Sequence, residues 1–181
     1  MNTEDFLKQF IPRNKTTGFD LSKTNLRKQE LAFLDLSMNF RGCDLSDAIL
    51  ESVEWNGIDL TDADLSGAFL EGANLIGADL RNADLSNTRL GNATFERACL
   101  DGANLTNAYF VQASLEGASL REAILTGANF DAANLTRADL RGAVDANLTY
   151  ARLSYTILPN GIVVTEENRG IEREYCSPLK G

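Results

Sequence analysis

Carboxylates are the side chains of this chain with the most scope for chemistry. Histidine is absent, so the commonest general base and neutral metal ligand is missing. Residues 40–84 hold ten acidic residues against Arg41 and Arg81. Seven of these acids are aspartates that one surface could gather: Asp44, Asp47, Asp59, Asp62, Asp64, Asp79 and Asp84. Carboxylates at this density could hold Ca²⁺ or attract a basic protein surface.

Signatures of metal sites and enzymes are missing around these aspartates. No EF-hand spacing occurs, and Cys43, Cys99 and Cys176 lie far apart without a CxxC pair. The sequence also lacks GxSxG, P-loop and HExxH motifs and a Gly-rich strand-to-helix turn. We therefore predict a non-enzymatic protein with no catalytic residue, no metal and no cofactor.

The overall charge limits the partners further. A net charge of −9 disfavours nucleic acids and anionic membranes, because both reward positive charge. No apolar run approaches the roughly 18 to 20 residues that cross a bilayer, and the first ten residues do not resemble a signal peptide. We expect a cytoplasmic protein, with a monomer favoured over a dimer, whose partner is an unidentified protein with a basic surface.

An internal period of five residues must position these side chains. From Phe40 to Leu140, every fifth residue is large and apolar: sixteen Leu, four Phe and Trp55. The residue two positions earlier is Ala in sixteen of twenty-one cases, and the last position is Gly or Asn in thirteen. Five fits neither a helix nor a long strand. Each repeat is therefore predicted to be one short strand with two inward residues, followed by a tight corner.

A longer period of twenty gives the number of corners in a coil. Like residues recur best at this step, as in the column Ser46, Ser66, Ser86, Thr106 and Thr126. Four repeats are therefore predicted to form one coil, with successive coils about 4.8 Å apart. Large and small residues alternate inside, because two large residues per repeat would overpack a narrow lumen. Phe110 and Phe130 lie twenty apart and are predicted to stack.

The pattern (Ala)-(Asp/Asn)-(Leu/Phe)-x-x, as in ADLSG at 63–67 and ANLTN at 103–107, resembles the pentapeptide-repeat family, in particular its cyanobacterial members. The resemblance covers about residues 20–158. It implies an all-β fold: a right-handed quadrilateral β-helix, or solenoid, of about seven coils with a short N-terminal capping α-helix. Most such proteins have no assigned activity, and some are linked to regulation of cell differentiation.

The repeats divide the chain into three parts. Residues 1–18 are predicted to form a capping helix and lead-in, whose apolar face ends at Pro12. Residues 19–158 form the β-helix. Residues 159–181 form a C-terminal cap and polar tail, in which 162–164 could fold back over the last coil.

Two slips interrupt the five-residue register. Leu36 and Phe40 are four residues apart, and Leu140 and Leu148 are eight apart. The second slip, over 141–147, is predicted to be a small bulge or loop at a corner, more a tolerated irregularity than a functional loop.

Two outer surfaces are candidate interaction sites. The seven aspartates are assigned to two adjacent faces and form an acidic corner toward the N-terminal half. Either this corner docks a basic partner, or its aspartates only fit turns and keep the rod soluble. A third face carries Ile49, Phe69, Tyr109 and Val111 at outward positions, as a contact patch or as scattered exposed residues.

Two functions remain open at this point. The first is a rigid scaffold or regulator whose faces bind another protein, as repeat proteins commonly do. The alternative, implied by the resemblance, is a DNA mimic that binds DNA gyrase, as in the quinolone-resistance branch of the family. Those proteins dimerise through an apolar C-terminal helix, which residues 165–181 lack, and the acids here crowd into one half.

Overall fold

A computed structural model describes residues 25–28 and 39–165. Within these ranges the regular structure consists of single-residue β-bridges between coils, and these residues include no helix. The predicted capping helix at 1–18 and the tail beyond residue 165 lie outside the described residues. The predicted domain boundaries and the count of about seven coils therefore stay predictions.

Parallel bridges define four faces, and up to Val144 the bridged residues named here are twenty apart. Face 1 is built on Asp44, Asp64, Asp84, Asn104, Ile124 and Val144. Face 2 is built on Ile49, Phe69, Arg89, Tyr109 and Asn129. Face 3 is built on Glu54, Asn74, Thr94, Ser114, Asn134 and Arg152, and face 4 on Asp59, Asp79, Cys99, Ser119, Asp139 and Ile157. The predicted coil of four repeats is confirmed.

Backbone hydrogen bonds join each bridging residue to the neighbouring coils. Leu45 N donates to Asp64 O at 2.6 Å, and Asp64 N donates to Cys43 O at 2.9 Å. The same pair of hydrogen bonds recurs coil after coil, so the backbone groups at the side of each coil are satisfied by the coils above and below.

The corners carry the strain of the coil. Each is closed by a hydrogen bond across the turn, as from Cys43 N to Phe40 O at 3.0 Å. Every fifth residue from Gly42 to Gly142 has a φ between 55° and 73°. This is the left-handed region that glycine adopts freely, which explains the excess of Gly and Asn at the last repeat position.

The lumen is filled by the two inward columns. The central Leu, Phe and Trp residues from Phe40 to Leu140 are at most 2% exposed. Phe110 and Phe130 stack with ring centroids 4.9 Å apart and 10° between planes, as predicted. Trp55 packs on Phe40 at 5.0 Å. The interior of the described β-helix is thus occupied almost entirely by apolar side chains.

The register changes near the C-terminal end. Ile124 and Val144 are twenty residues apart, whereas Asn134 bridges Arg152 and Asp139 bridges Ile157 at a spacing of eighteen. The bulge or loop predicted for 141–147 is therefore wrong. The slip removes two residues, because the side that ends in Asp145 is followed at once by the next inward pair, Ala146 and Leu148, without the usual two corner residues.

The described chain ends in a short fold-back. Val163 pairs antiparallel with Ile157, and Val164 N donates to Thr156 O at 2.9 Å. Val164 is 3% exposed, so this segment covers part of the last coil. The coil's free edge is thereby shielded on the side of Ile157.

Candidate interaction surfaces

The seven aspartates of the acidic corner lie on faces 1 and 4 and at the corners that follow them. Asp44, Asp64 and Asp84 form one bridged column on face 1, and Asp59 bridges Asp79 on face 4. Asp62 lies at the corner between these faces, and Asp47 at the corner that leads to face 2. The structure therefore gathers these residues as the sequence pattern indicated.

Most of these carboxylates serve their own turns. In five cases Oδ1 accepts a hydrogen bond from the backbone N–H two residues later, as from Ser66 N to Asp64 at 2.9 Å. Asparagines at the same position, such as Asn104 and Asn134, do the same. The local fold alone thus accounts for Asp or Asn before the central residue.

Arginines of the same chain neutralise part of the acidic corner. Asp47 Oδ2 lies 3.2 Å from Arg27 Nη2, and Asp62 Oδ2 lies 3.2 Å from Arg41 Nη2. Asp79 takes a two-pronged contact from Arg81, with the shorter N–O distance at 2.5 Å. The hydrogen bonds from Arg81 lower the pKa of Asp79 below its usual value.

Face 4 contains no reactive thiol centre. Cys99 is half-buried in the column between Asp79 and Ser119, and burial raises the pKa of its thiol, which keeps it protonated and weakly nucleophilic. Among the residues that the structure describes, no group of three or more Cys, Asp or Glu side chains could hold a metal ion. Nor do these residues contain a helix of the length and apolarity needed to span a membrane.

Face 2 brings three of the four predicted apolar residues into one column, whereas Val111 is half-buried at the corner that follows it. Ile49 bridges Phe69, and the column continues through Arg89 to Tyr109. The Arg89 guanidinium lies over the Phe69 ring, 4.9 Å from its centroid. Ile49 and Tyr109 remain 42% and 48% exposed. This face offers aromatic and aliphatic surface together with a positioned cation.

A split in the coil-to-coil hydrogen bonds interrupts face 2 above Asn129. Leu125 N still donates to Val144 O at 2.9 Å, and Ala132 N to Tyr150 O at 3.1 Å. Between these two bonds the ladder opens. Gly127 N and Phe130 N donate no hydrogen bond, and Ala128 O accepts none, within the ranges 25–28 and 39–165. We call this opening, bounded by 125–132 and 144–150, the ladder split.

The split is a groove of about 770 Å³ lined by both of its edges. Its lining residues include Asp131 and Asp145, both exposed, but no basic residue. Neither carboxylate forms an ion pair with any residue that the structure describes. Tyr150 borders the groove and is 74% exposed.

Sequence reasoning missed this groove, although a signal was present. Asp145 occupies the position at which the five-residue register calls for a large apolar residue, and the inward pair 146–148 follows without corner residues. A carboxylate cannot enter the apolar lumen unpaired, so that side must turn outward and the ladder must open.

These features define a four-sided β-helical rod whose outward side chains differ from face to face. The family model for pentapeptide repeats matches residues 39–75, 70–107 and 103–142 in eight copies. The matches span more than half of the chain, and the chain belongs to the pentapeptide-repeat family. The right-handed β-helix is the fold of this family.

Solved structures of other pentapeptide-repeat proteins are similar. One is HetL, involved in heterocyst differentiation regulation in the cyanobacterium Nostoc sp. strain PCC 7120, with 27% identity over 91% of this chain and 100% of that chain and a TM-score of 0.44. A thylakoid-lumen protein from Arabidopsis thaliana is 31% identical over 57% of this chain and 68% of that chain, with a TM-score of 0.46.

A third similar structure is QnrB1, a plasmid-mediated fluoroquinolone resistance protein. It is 23% identical over 86% of this chain and 84% of that chain, with a TM-score of 0.34. No match was found among curated proteins. Structural similarity at these TM-scores does not indicate a function. The function is therefore inferred from the outward residues of this chain.

Proposed function

We propose that this protein is a non-enzymatic scaffold or regulator that binds another protein through its outer faces. One observation carries the proposal: apolar side chains fill the described interior, so the groups available to a partner are the outward residues. Proteins of this family are generally structural or interaction proteins. Repeat solenoids present extended surfaces of this kind to their partners.

Face 2 is the best candidate among the four faces. Aromatic side chains and arginine dominate the energetics of protein interfaces, and face 2 presents Phe69, Arg89 and Tyr109 in one column. Face 3 presents mainly small polar residues, such as Thr94 and Ser114. A contact through face 2 would bury more apolar area for each coil.

A pair of photo-crosslinking positions tests this proposal. Benzoylphenylalanine at Tyr109 on face 2, and in a matched protein at Ser114 on face 3, is irradiated in lysate of the source cells. We expect a discrete adduct from position 109 and none from position 114. Absence of any discrete adduct from positions distributed over all four faces would refute protein binding.

The gyrase-binding alternative lacks a favouring observation. The acidic column on face 1 of this protein spans three coils, from Asp44 to Asp84, and then continues as Asn104, Ile124 and Val144. This column therefore does not run along the whole described rod, whereas duplex DNA carries one charge per about 1.7 Å along its full length. A gyrase supercoiling assay with purified protein would decide, and we expect no inhibition.

A further inference from the structure

The ladder split leaves backbone groups free to pair with an added strand-like segment. In the regular coil below, Phe110 N donates to Asn129 O at 2.8 Å and Asn129 N donates to Ala108 O at 2.9 Å. One coil higher, the equivalent donor Phe130 N and acceptor Ala128 O have no partner among the described residues. A single residue of an added extended chain could satisfy both groups.

These groups are also slightly uncovered. Ala128 and Phe130 are 5% and 2% exposed, whereas Ala108 and Phe110 are fully buried at 0%. An unpaired backbone amide or carbonyl in a mostly buried position costs free energy until water or another polar group reaches it. The edge therefore favours a ligand that carries both a donor and an acceptor, as a peptide backbone does.

The charge and the aromatic border specify the side chains of such a ligand. Asp131 and Asp145 line the groove without an ion pair, in a protein of net charge −9. Tyr150 presents an exposed ring at the same groove. A guanidinium can pair with a carboxylate and lie over an aromatic ring, as Arg89 lies over Phe69 lower on face 2.

We infer that the ladder split binds an extended, arginine-containing segment of a partner protein by β-augmentation. The backbone of the segment pairs with Ala128 O and Phe130 N, and its arginines reach Asp131 and Asp145. This inference rests on the proposed protein-binding function and names one surface and one class of ligand for it. The groove interrupts face 2, so one partner could contact both.

The first experiment titrates the full-length ¹⁵N-labelled protein with a defined probe, acetyl-TVRVRVT-amide. Binding should shift the amide resonances of Gly127 and Phe130 and slow their hydrogen exchange, with little change at Asn107 and Phe110. A peptide with glutamate in place of both arginines, and one N-methylated at both arginines, whose N–H groups would face the edge when their side chains point outward, should each bind at least about tenfold more weakly. Equal affinity for all three peptides would overturn the inference.

The second experiment closes the groove. Asp145→Leu with Thr-Gly inserted after position 145 turns AVDANL into AVLTGANL, which restores the five-residue step. We expect this variant to fold, to extend the twenty-residue spacing and to lose probe binding. Undiminished binding by this folded variant would contradict the inference.

A milder variant guards against misfolding of the insertion. The double variant Asp131→Asn with Asp145→Asn should weaken probe binding about tenfold. The control variant Glu51→Gln, whose exposed carboxylate does not line the groove, should bind the probe like the parent protein. Equal affinity of the double variant and the control variant would overturn the inference. If the probe fails while position 109 still gives its adduct, the ladder split is not the site but the scaffold proposal stands. If the probe fails and no position on any of the four faces gives an adduct, both proposals fall.

Discussion

The regular coils and the ladder split are built from the same repeat, yet they expose different groups. In the regular coils, such as the one containing Asn107 and Phe110, the backbone is paired above and below, and only side chains face outward. At the ladder split the loss of two residues opens the hydrogen-bond ladder and uncovers backbone at Gly127 and Phe130. In such a rod, a register slip therefore creates a kind of surface that substitution of outward residues cannot.

The largest expected effect contrasts the packing of the two regions. Leu105→Ala removes a fully buried side chain from a closed lumen and should reduce the free energy of unfolding by about 3–5 kcal/mol. Leu148→Ala, next to the split, should cost about 2 kcal/mol, because the open neighbourhood can relax into the space. Urea unfolding of both variants measures the difference, and equal losses would mean that the split is as tightly packed as the coils.

A smaller effect contrasts two aspartates on face 4. Asp79 is paired with one arginine among the described residues, Arg81, whereas Asp139 accepts hydrogen bonds from Arg141 at 2.7 Å and from Arg121 at 2.7 Å. The Asp139 side chain is 13% exposed, and the hydrogen bonds from Arg141 and then Arg121 hold its pKa well below the usual 3.8. Asp139→Asn should cost about 1–2 kcal/mol, since both guanidiniums are half exposed, and Asp79→Asn less.

The same aspartates predict a pH dependence. A carboxyl group with a lowered pKa in the folded state contributes stability above its ordinary pKa of 3.8 and loses it as the pH falls toward the folded value. The stability lost below about pH 4 should therefore be smaller in Asp139→Asn than in the parent protein. Thermal unfolding between pH 2.5 and pH 7 tests this, and identical pH profiles would show that the two arginines do not stabilise the charged form.

The smallest effects concern the corners. Gly77 has φ +66° and no atom within 4 Å of an added Cβ, so Gly77→Ala should cost about 1 kcal/mol through backbone strain alone. Ala132 lies at the edge of the split with φ 57°, so Ala132→Gly should raise the free energy of unfolding by up to about 1 kcal/mol. Melting temperatures should move in opposite directions, and a shift of the same sign would mean that corner strain is not the controlling term.

The regular part of the fold could be predicted because each repeat position has one physical constraint. An apolar residue such as Leu105 must enter the lumen, and a Gly such as Gly77 adopts a positive φ at a corner. The positions of the seven aspartates and of Ile49, Phe69 and Tyr109 follow from the spacing of twenty alone.

The rest depended on which groups meet in space. Arg41 pairs with Asp62, twenty-one residues later. This contact depends on the rotamer of the long arginine side chain, which the repeat does not determine. The spacing of eight between Leu140 and Leu148 fits either an added loop or a shortened side. Only the ladder decides between them, since Arg152 pairs with Asn134 at a spacing of eighteen.

Amide hydrogen exchange in the free protein at pH 7 tests the open ladder most directly. Gly127 and Phe130 occupy the same repeat positions as Asn107 and Phe110, one coil below, whose N–H groups donate at 2.9 and 2.8 Å. We predict that the amides of Gly127 and Phe130 exchange at least about a hundredfold faster than those of Asn107 and Phe110. Equal protection of the two pairs would contradict the account, because it would mean that the ladder is closed at this corner.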